Sequence, residues 1–173
     1  MPTDLRAEIA ERKADILALL CQRSSTQRIA APPIKPRARG DPAPLSFAQE
    51  RLWFLEQLEP QSVAYNICRA SRLLGNLNAS ALEASLNEII SRHETLRTAF
   101  RLVDGRPVQV VQAIRNNSIE FVDLRAMPDD ERDVEIQRRI KAEAERPFDL
   151  SAGQLLRASL LRVSDQDYVL ILL

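Results

Sequence analysis

Apolar positions recur every three or four residues at the start of the chain, whereas farther along they form short runs broken by turns. Charged residues cover the opposite side of the first segment, which predicts an amphipathic helix over 5–20 with Asp4 as its N-cap. A helix of this length is marginal alone in water, so its apolar face needs a partner. That partner is either the rest of this chain or another protein. The face comprises Leu5, Ile9, Ile16, Leu17 and Leu20.

The next segment, 24–44, holds five of the ten prolines and almost no large apolar residue. Proline fixes φ and lacks a backbone N–H, which predicts an extended, semi-rigid linker. Its basic residues are more typical of a solvated linker than of a nucleic-acid arm, because no aromatic residues accompany them. The sequence therefore divides into a helix over 1–23, a linker over 24–44 and a folded domain over 45–173.

The folded domain is expected to begin with a capped helix. Ser46 and Gln49 have the spacing of a capping box, and the helix should run to about Leu58. A strand over 65–74 and a second helix over 79–93 follow. The first of these helices should face the core through Ala48, Leu52 and Leu55. The second should be capped by Asn78 or Ser80 and should bury Leu82, Leu86, Ile89 and Ile90.

A β-hairpin comes next, because the turn residues Asp104-Gly105 separate apolar runs at 96–103 and 108–113. Another short strand is predicted over 119–124. A third helix over 128–146 opens with acidic residues and ends with basic ones, which suits the helix dipole.

Two apolar runs at 155–163 and 168–173 complete the pattern. Helices and strands therefore mix along the chain, with strands of both orientations. This order predicts an α/β fold.

Composition excludes several classes of function. The chain has 24 basic and 24 acidic residues, so no field of one sign points to nucleic acid or an anionic membrane. No apolar run approaches the roughly 20 residues that span a bilayer. No secretory signal pattern opens the chain, and Cys21 and Cys68 are expected to be reduced thiols of a cytoplasmic protein.

Candidate catalytic groups are few. The one histidine, His93, lies at the end of a predicted helix, where a cation offsets the dipole, and this favours a structural role. No cluster of residues has the spacing of a zinc site, and no glycine-rich phosphate loop is present. The residues taken alone therefore predict no complete catalytic site and no metal.

Three arginines, Arg51, Arg92 and Arg97, lie in or beside strongly apolar segments. A guanidinium drawn toward a core must be paired. They either bind backbone carbonyls and carboxylates such as Glu50 or Glu94, or orient a neighbouring active-site loop.

Residues 46–55 resemble the first core motif of the condensation domains of non-ribosomal peptide synthetases, S-x-A-Q-x-R-L-W-x-L. Residues 92–100 match the second motif, R-H-E-x-L-R-T-x-F, at every fixed position. Further similarity lies at 64–66, 146–150 and 155–158, so the resemblance covers everything after the linker. The N-terminal helix is itself similar to the last helix of small N-terminal docking domains on hybrid polyketide–peptide synthetases.

The resemblance implies part of the N-terminal lobe of a chloramphenicol acetyltransferase-like fold, in which two lobes enclose a tunnel. Such domains join an upstream acyl or peptidyl thioester to a downstream aminoacyl thioester. The substrates arrive on phosphopantetheine arms of peptidyl carrier proteins, and the domain itself binds no cofactor. Carrier proteins and other synthetase modules are therefore the expected partners.

The family's catalytic motif, H-H-x-x-x-D-G, directly follows a buried strand, which corresponds here to 168–173. The sequence does not contain that motif, so no residue receives a catalytic role and the chain is expected to be inactive alone. The resemblance implies a structural role for the residues of the two motifs. These are Ser46, Gln49, Arg51, Trp53, Arg92, His93, Glu94 and Arg97.

Two interpretations follow: a fragment of a condensation domain, or a non-catalytic docking and interaction module. The apolar strand 168–173 is expected to distinguish them, because a standalone module should protect an exposed apolar edge from other chains. We expect this edge to be uncovered, which favours the fragment.

Overall fold

The structure is a computed structural model that describes residues 11–26 and 41–173. The chain divides into two compact units, Met1–Arg37 and Ala38–Leu173. The described part of the first unit contains helix α1, Lys13–Thr26. The predicted start of this helix lies outside the described residues, as does most of the predicted linker. The predicted end of the helix at Leu20 is wrong. The helix continues to Thr26, because no glycine or proline interrupts it before that residue.

The second unit mixes helices and strands, which confirms the predicted α/β class. A short 3₁₀ turn, Glu94–Arg97, joins its second helix to its third strand. In chain order the elements are β1 (Ala43–Pro44), α2 (Phe47–Leu58), β2 (Arg69–Leu74), α3 (Ala79–Arg92), β3 (Thr98–Val103), β4 (Arg106–Val111), β5 (Glu120–Asp123), α4 (Asp129–Ala144), β6 (Ala158–Ser164) and β7 (Asp167–Leu172).

A three-stranded sheet has the order β1-β4-β3. Strands β3 and β4 form the predicted hairpin, and Asp104 and Gly105 at its turn have φ of +50° and +74°. Such left-handed backbone at both turn residues is what a two-residue hairpin requires. Ala43 and Pro44 pair with β4 as strand β1, so these two residues of the expected linker belong to the sheet.

A four-stranded sheet has the order β2-β7-β6-β5, with β5 parallel to β6 and the other pairs antiparallel. Strands of both orientations are therefore present, as predicted. Strand β7 is central, and its Leu172 pairs with Arg69 of β2 on one side and Ala158 of β6 on the other. The expectation that this strand presents an uncovered edge is wrong, because a strand about a hundred residues earlier covers it.

The core lies on both faces of the four-stranded sheet. On one face Leu161 and Ile171, both fully buried, pack with Ile136 of α4. On the other face Leu160 and Leu170 pack against Leu82 of α3. The sheet is thus covered by a helix on each side, and consecutive residues of β6 and β7 alternate between the two faces.

Helices α2 and α3 begin where the sequence predicts. The Ser46 amide donates to Gln49 Oε1 at 2.8 Å and the Gln49 amide to Ser46 Oγ at 3.3 Å, which completes the capping box. For α3, Asn78 is the cap, because its Oδ1 accepts from the Ala81 amide at 2.9 Å. The alternative cap, Ser80, is excluded.

The expected core face of α2 is wrong. Ala48 and Leu52 are exposed and Leu55 is half-buried. In the part of the chain that the structure describes, no side chain of this helix is buried. In α3, Ile90 is buried as predicted, whereas Ile89 is 45% exposed. Helical spacing indicates one apolar side, but it does not indicate what covers that side.

A bidentate ion pair lies at the end of the β2–β7 ladder where β7 begins. Arg72 Nε and Nη2 donate to the two carboxylate oxygens of Asp167 at 2.9 and 2.5 Å. These bonds stabilise the ionised carboxylate, so the pKa of Asp167 lies below its usual value.

We expect Asp167→Asn to lower the free energy of unfolding at pH 7 by up to about 1 kcal/mol. A carboxylate whose pKa is depressed by folding stabilises the fold above its unfolded pKa of about 4, and this contribution is lost as pH falls further. The deficit should therefore shrink between pH 5 and pH 3 in urea titrations. The exposed Asp41 provides the control Asp41→Asn. A deficit independent of pH would contradict the assignment.

Candidate functional site

Two neighbouring cavities lie near the start of β6. One, of about 490 Å³, is mainly apolar, and Leu172 and Leu173 contribute to its wall. The other, of about 350 Å³, contains charged side chains, among them Glu143 and Arg157. Leu156 lines both cavities, so the segment that precedes β6 separates them.

The wall between the cavities contains a cation–π pair. The guanidinium carbon of Arg157 lies 3.9 Å from the ring centre of Phe148, which lines the apolar cavity. The Arg157 side chain is only 13% exposed. Such a contact gains strength when the cation is shielded from water, which stabilises this arrangement of the wall.

The guanidinium of Arg157 binds the backbone where α4 ends. Nη1 donates to the Pro147 carbonyl at 3.0 Å, and Nη2 donates to the carbonyls of Arg146 at 2.6 Å and Glu143 at 3.4 Å. Burial lowers the pKa of Arg157, and the Glu143 carboxylate opposes that effect. The side chain stays charged, because an arginine pKa begins far above neutral.

Asn66 binds the same helix end from another direction. Its Nδ2 donates to the carbonyls of Ala144 and Arg146, both at 2.9 Å. The last carbonyls of a helix have no partner within it and favour donors and cations. We call the four oxygens that receive these bonds the α4 carbonyl end: those of Glu143, Ala144, Arg146 and Pro147.

The backbone of Arg157 connects this cluster to the end of β7. Its amide donates to the Leu173 carbonyl at 3.0 Å, and the Leu173 amide donates back to the Arg157 carbonyl at 3.1 Å. One residue thus binds helix α4 through its side chain and the end of β7 through its backbone.

The first sequence motif lies beside the three-stranded sheet. Besides completing the capping box, Gln49 donates from Nε2 to Gln109 Oε1 at 3.0 Å, and Gln109 donates to the Pro44 carbonyl at 3.0 Å. Arg51 is exposed and Trp53 is half-buried. Leu52, between them, lines the apolar cavity.

The second motif begins at the end of α3. Arg92 is exposed and its Nε donates to Glu88 Oε1 at 2.6 Å, while the exposed His93 closes the helix through its backbone amide. Arg97 is half-buried: Nη1 donates to the Gln112 carbonyl at 2.5 Å, and Nη2 lies 3.6 Å from a carboxylate oxygen of Glu94.

The two motifs therefore contact the β3–β4 hairpin at different points, through Gln109 and Gln112. The residues that meet at the end of β7 are others: Asn66, Phe148 and Arg157. The sequence indicates only that each of these three residues lies in a segment that resembles the family. One signal could have identified Arg157, because an arginine within the apolar run 155–163 must find partners, like the arginines of the other apolar segments.

Within 11–26 and 41–173, no three acidic, histidine or cysteine residues are grouped to hold a metal ion. Cys68 is a free thiol whose pKa is raised by burial, which disfavours a reactive thiolate. Among the helices that the structure describes, none is long and apolar enough to cross a bilayer.

Residues 40–173 match the family model described as Condensation domain. The chain belongs to the condensation domain family. The relatives of this condensation-domain segment include chondramide synthase cmdD of Chondromyces crocatus, 48% identical over 144 residues, which are 83% of this chain and 4% of that protein. Phosphinothricin tripeptide synthetase PhsC of Streptomyces viridochromogenes is 40% identical over 172 residues, or 98% of this chain and 16% of that protein.

Solved condensation domains share the fold. The starter condensation domain of rhizomide synthetase RzmA has a TM-score of 0.68 and 28% identity, over 76% of this chain and 33% of that one. The first condensation domain of the calcium-dependent antibiotic synthetase, at 23% identity, has a TM-score of 0.67. This condensation-domain segment therefore has part of the chloramphenicol acetyltransferase-like fold. It spans a third or less of each of these solved domains and synthetases.

We expect Asn66→Ala to lower the free energy of unfolding by about 0.5–1.5 kcal/mol, because two partly accessible carbonyls of the α4 carbonyl end lose a donor. Asn116→Ala is the matched control, since Asn116 is exposed, and its effect should stay within about 0.5 kcal/mol. Urea unfolding followed by circular dichroism measures both variants. Equal stabilities of the two would refute the structural importance of Asn66.

Proposed function

We propose that residues 45–173 contribute part of the N-terminal lobe of a condensation domain that forms peptide bonds. The upstream acyl or peptidyl group and the downstream aminoacyl group would both arrive as thioesters. The observation that carries this proposal is the pair of neighbouring cavities that share Leu156, one of them lined by the end of β7, in a chain of this family.

The position of the cavities suits the reaction. The family resemblance implies that H-H-x-x-x-D-G directly follows the strand that corresponds to β7, and Leu172 and Leu173 at the end of that segment line the apolar cavity. One cavity on each side of the reacting groups suits two separately delivered thioesters, because the reactants can be held close and oriented. In this arrangement the described residues line the two cavities and hold those lining residues in place.

The assignments that accompany this function form part of the same proposal. Peptidyl carrier proteins bring substrates on phosphopantetheine arms, other synthetase modules are partners, and the protein works in the cytoplasm. Residues 1–23 serve as a docking helix, 24–44 as a linker and 45–173 as the partial domain. The eight motif residues named from the sequence act structurally. The contacts of Gln49 and Arg97 with the hairpin support that role.

A non-catalytic interaction module is the second interpretation, and no contact in the described residues favours it. Strand β7 is paired on both sides, so an exposed apolar edge does not distinguish the two interpretations. The preference for a condensation-domain fragment therefore depends on family membership and on partial coverage of larger synthetases.

A hybrid synthetase tests the proposed function. Residues 40–173 would replace the matching residues of the similar condensation domain in chondramide synthase cmdD. We expect carrier-bound peptide at a rate within about tenfold of the parent domain, or about 1.4 kcal/mol in the barrier. Mass spectrometry of the carrier protein detects the product. A hybrid with Ile171→Asp, which places a charge in the core, is the inactive control.

A folded hybrid that accepts both loaded carriers but forms no peptide would contradict the proposal. The 173-residue chain alone should form no peptide between the same carriers, because it lacks the two adjacent histidines of the family motif. Product formation by the chain alone would show that the catalytic assignment is wrong.

A further inference from the structure

Leu172 and Leu173 differ in how their backbones are held. Leu172 pairs with β2 on one side and with β6 on the other. Among the described residues, the backbone of Leu173 exchanges hydrogen bonds with that of Arg157. The backbone position of Leu173 therefore depends on Arg157.

We propose that Arg157 is a positioning residue for the condensation reaction and that it fixes the backbone of Leu173, directly after β7. Its side chain is itself fixed, because it donates to three carbonyls of the α4 carbonyl end and lies against Phe148. A displacement of Arg157 would move Leu173, since two backbone bonds join them.

The end of helix α4, to which the Arg157 side chain binds, is itself held in place. Helix α4 packs on the sheet through Ile136 and Ile140, and Asn66 also binds the carbonyls at its end. The guanidinium is a planar fork whose donors reach several carbonyls at once. A lysine ammonium at the end of a flexible chain does not reproduce that geometry. The chemistry of arginine, and not charge or bulk alone, is therefore required.

Arg162 of β6 makes different contacts from Arg157, which directly precedes that strand. Its Nη2 donates to the exposed Asp165 at 2.9 Å, and its guanidinium carbon lies 5.9 Å from the Tyr168 ring centre. Arg162 lies near the C-terminal end of β6, whereas Arg157 directly precedes the strand, and Arg162 binds no helix carbonyl among the described residues. Arg162 is thus a matched control from the same part of the chain.

The inference rests on the proposed function in one respect, namely that the reacting residues follow Leu173. Reacting groups must be held in a near-attack geometry, and a misplacement of about 1 Å far from the chemistry can cost about a hundredfold in rate. An arginine that fixes the backbone immediately before those residues therefore contributes to catalysis without touching substrate.

Backbone NMR on the full 173-residue chain tests the proposal without any reaction. The ¹⁵N order parameter of Leu173 should lie near 0.85, about the value of rigid backbone, and fall below about 0.6 in both Arg157→Lys and Arg157→Met. Leu170, in the middle of β7, should keep its value in both variants. Arg162→Met should leave Leu173 unchanged.

Each other outcome overturns the proposal. Retained order in Arg157→Met would show that bulk suffices, and retained order in Arg157→Lys would show that charge suffices. Loss of order at Leu170 as well would show a general effect on stability, and a mobile Leu173 in the unsubstituted chain would show no positioning. Because no substrate is involved, an inactive hybrid synthetase would refute the proposed function and leave this result intact.

Discussion

The end of helix α4 imposes the constraint on which the rest of the site depends. Helix carbonyls without intrahelical partners need donors, and α4 receives them from Asn66 and Arg157, which belong to segments far apart in the sequence. Three chain segments are therefore fixed around one set of oxygens. Since Arg157 also binds Leu173, the same constraint sets the end of the central strand.

The two sheets of the second unit are stabilised by different means. The three-stranded sheet is held by the two family motifs, through the contacts of Gln49 and Arg97 with the hairpin. The four-stranded sheet is stabilised by apolar side chains on both faces. Where β6 begins and β7 ends, the α4 carbonyl end also stabilises it through Arg157. The two cavities lie near this point, and the wall formed by Arg157 and Phe148 separates them.

Features that depend on neighbouring residues could be predicted from the sequence. The capping box at Ser46 and the left-handed turn at Gly105 are local, so a few residues determine them. The central place of β7 could not be predicted, because it depends on pairing with the distant β2. The same holds for the site: an arginine at position 157 predicts a partner, but only the fold brings Asn66 to the same carbonyls.

The central claim is that Asn66 and Arg157 hold the α4 carbonyl end as one unit, and a double-mutant cycle tests it most directly. Both side chains donate to the Arg146 carbonyl. The free energy of unfolding should be measured for the unsubstituted chain, Asn66→Ala, Arg157→Lys and the double variant. We expect the combined loss to differ from the sum of the single losses by at least about 0.5 kcal/mol, the coupling typical of residues in one network. Losses that add within about 0.3 kcal/mol would show two independent contacts and contradict the account.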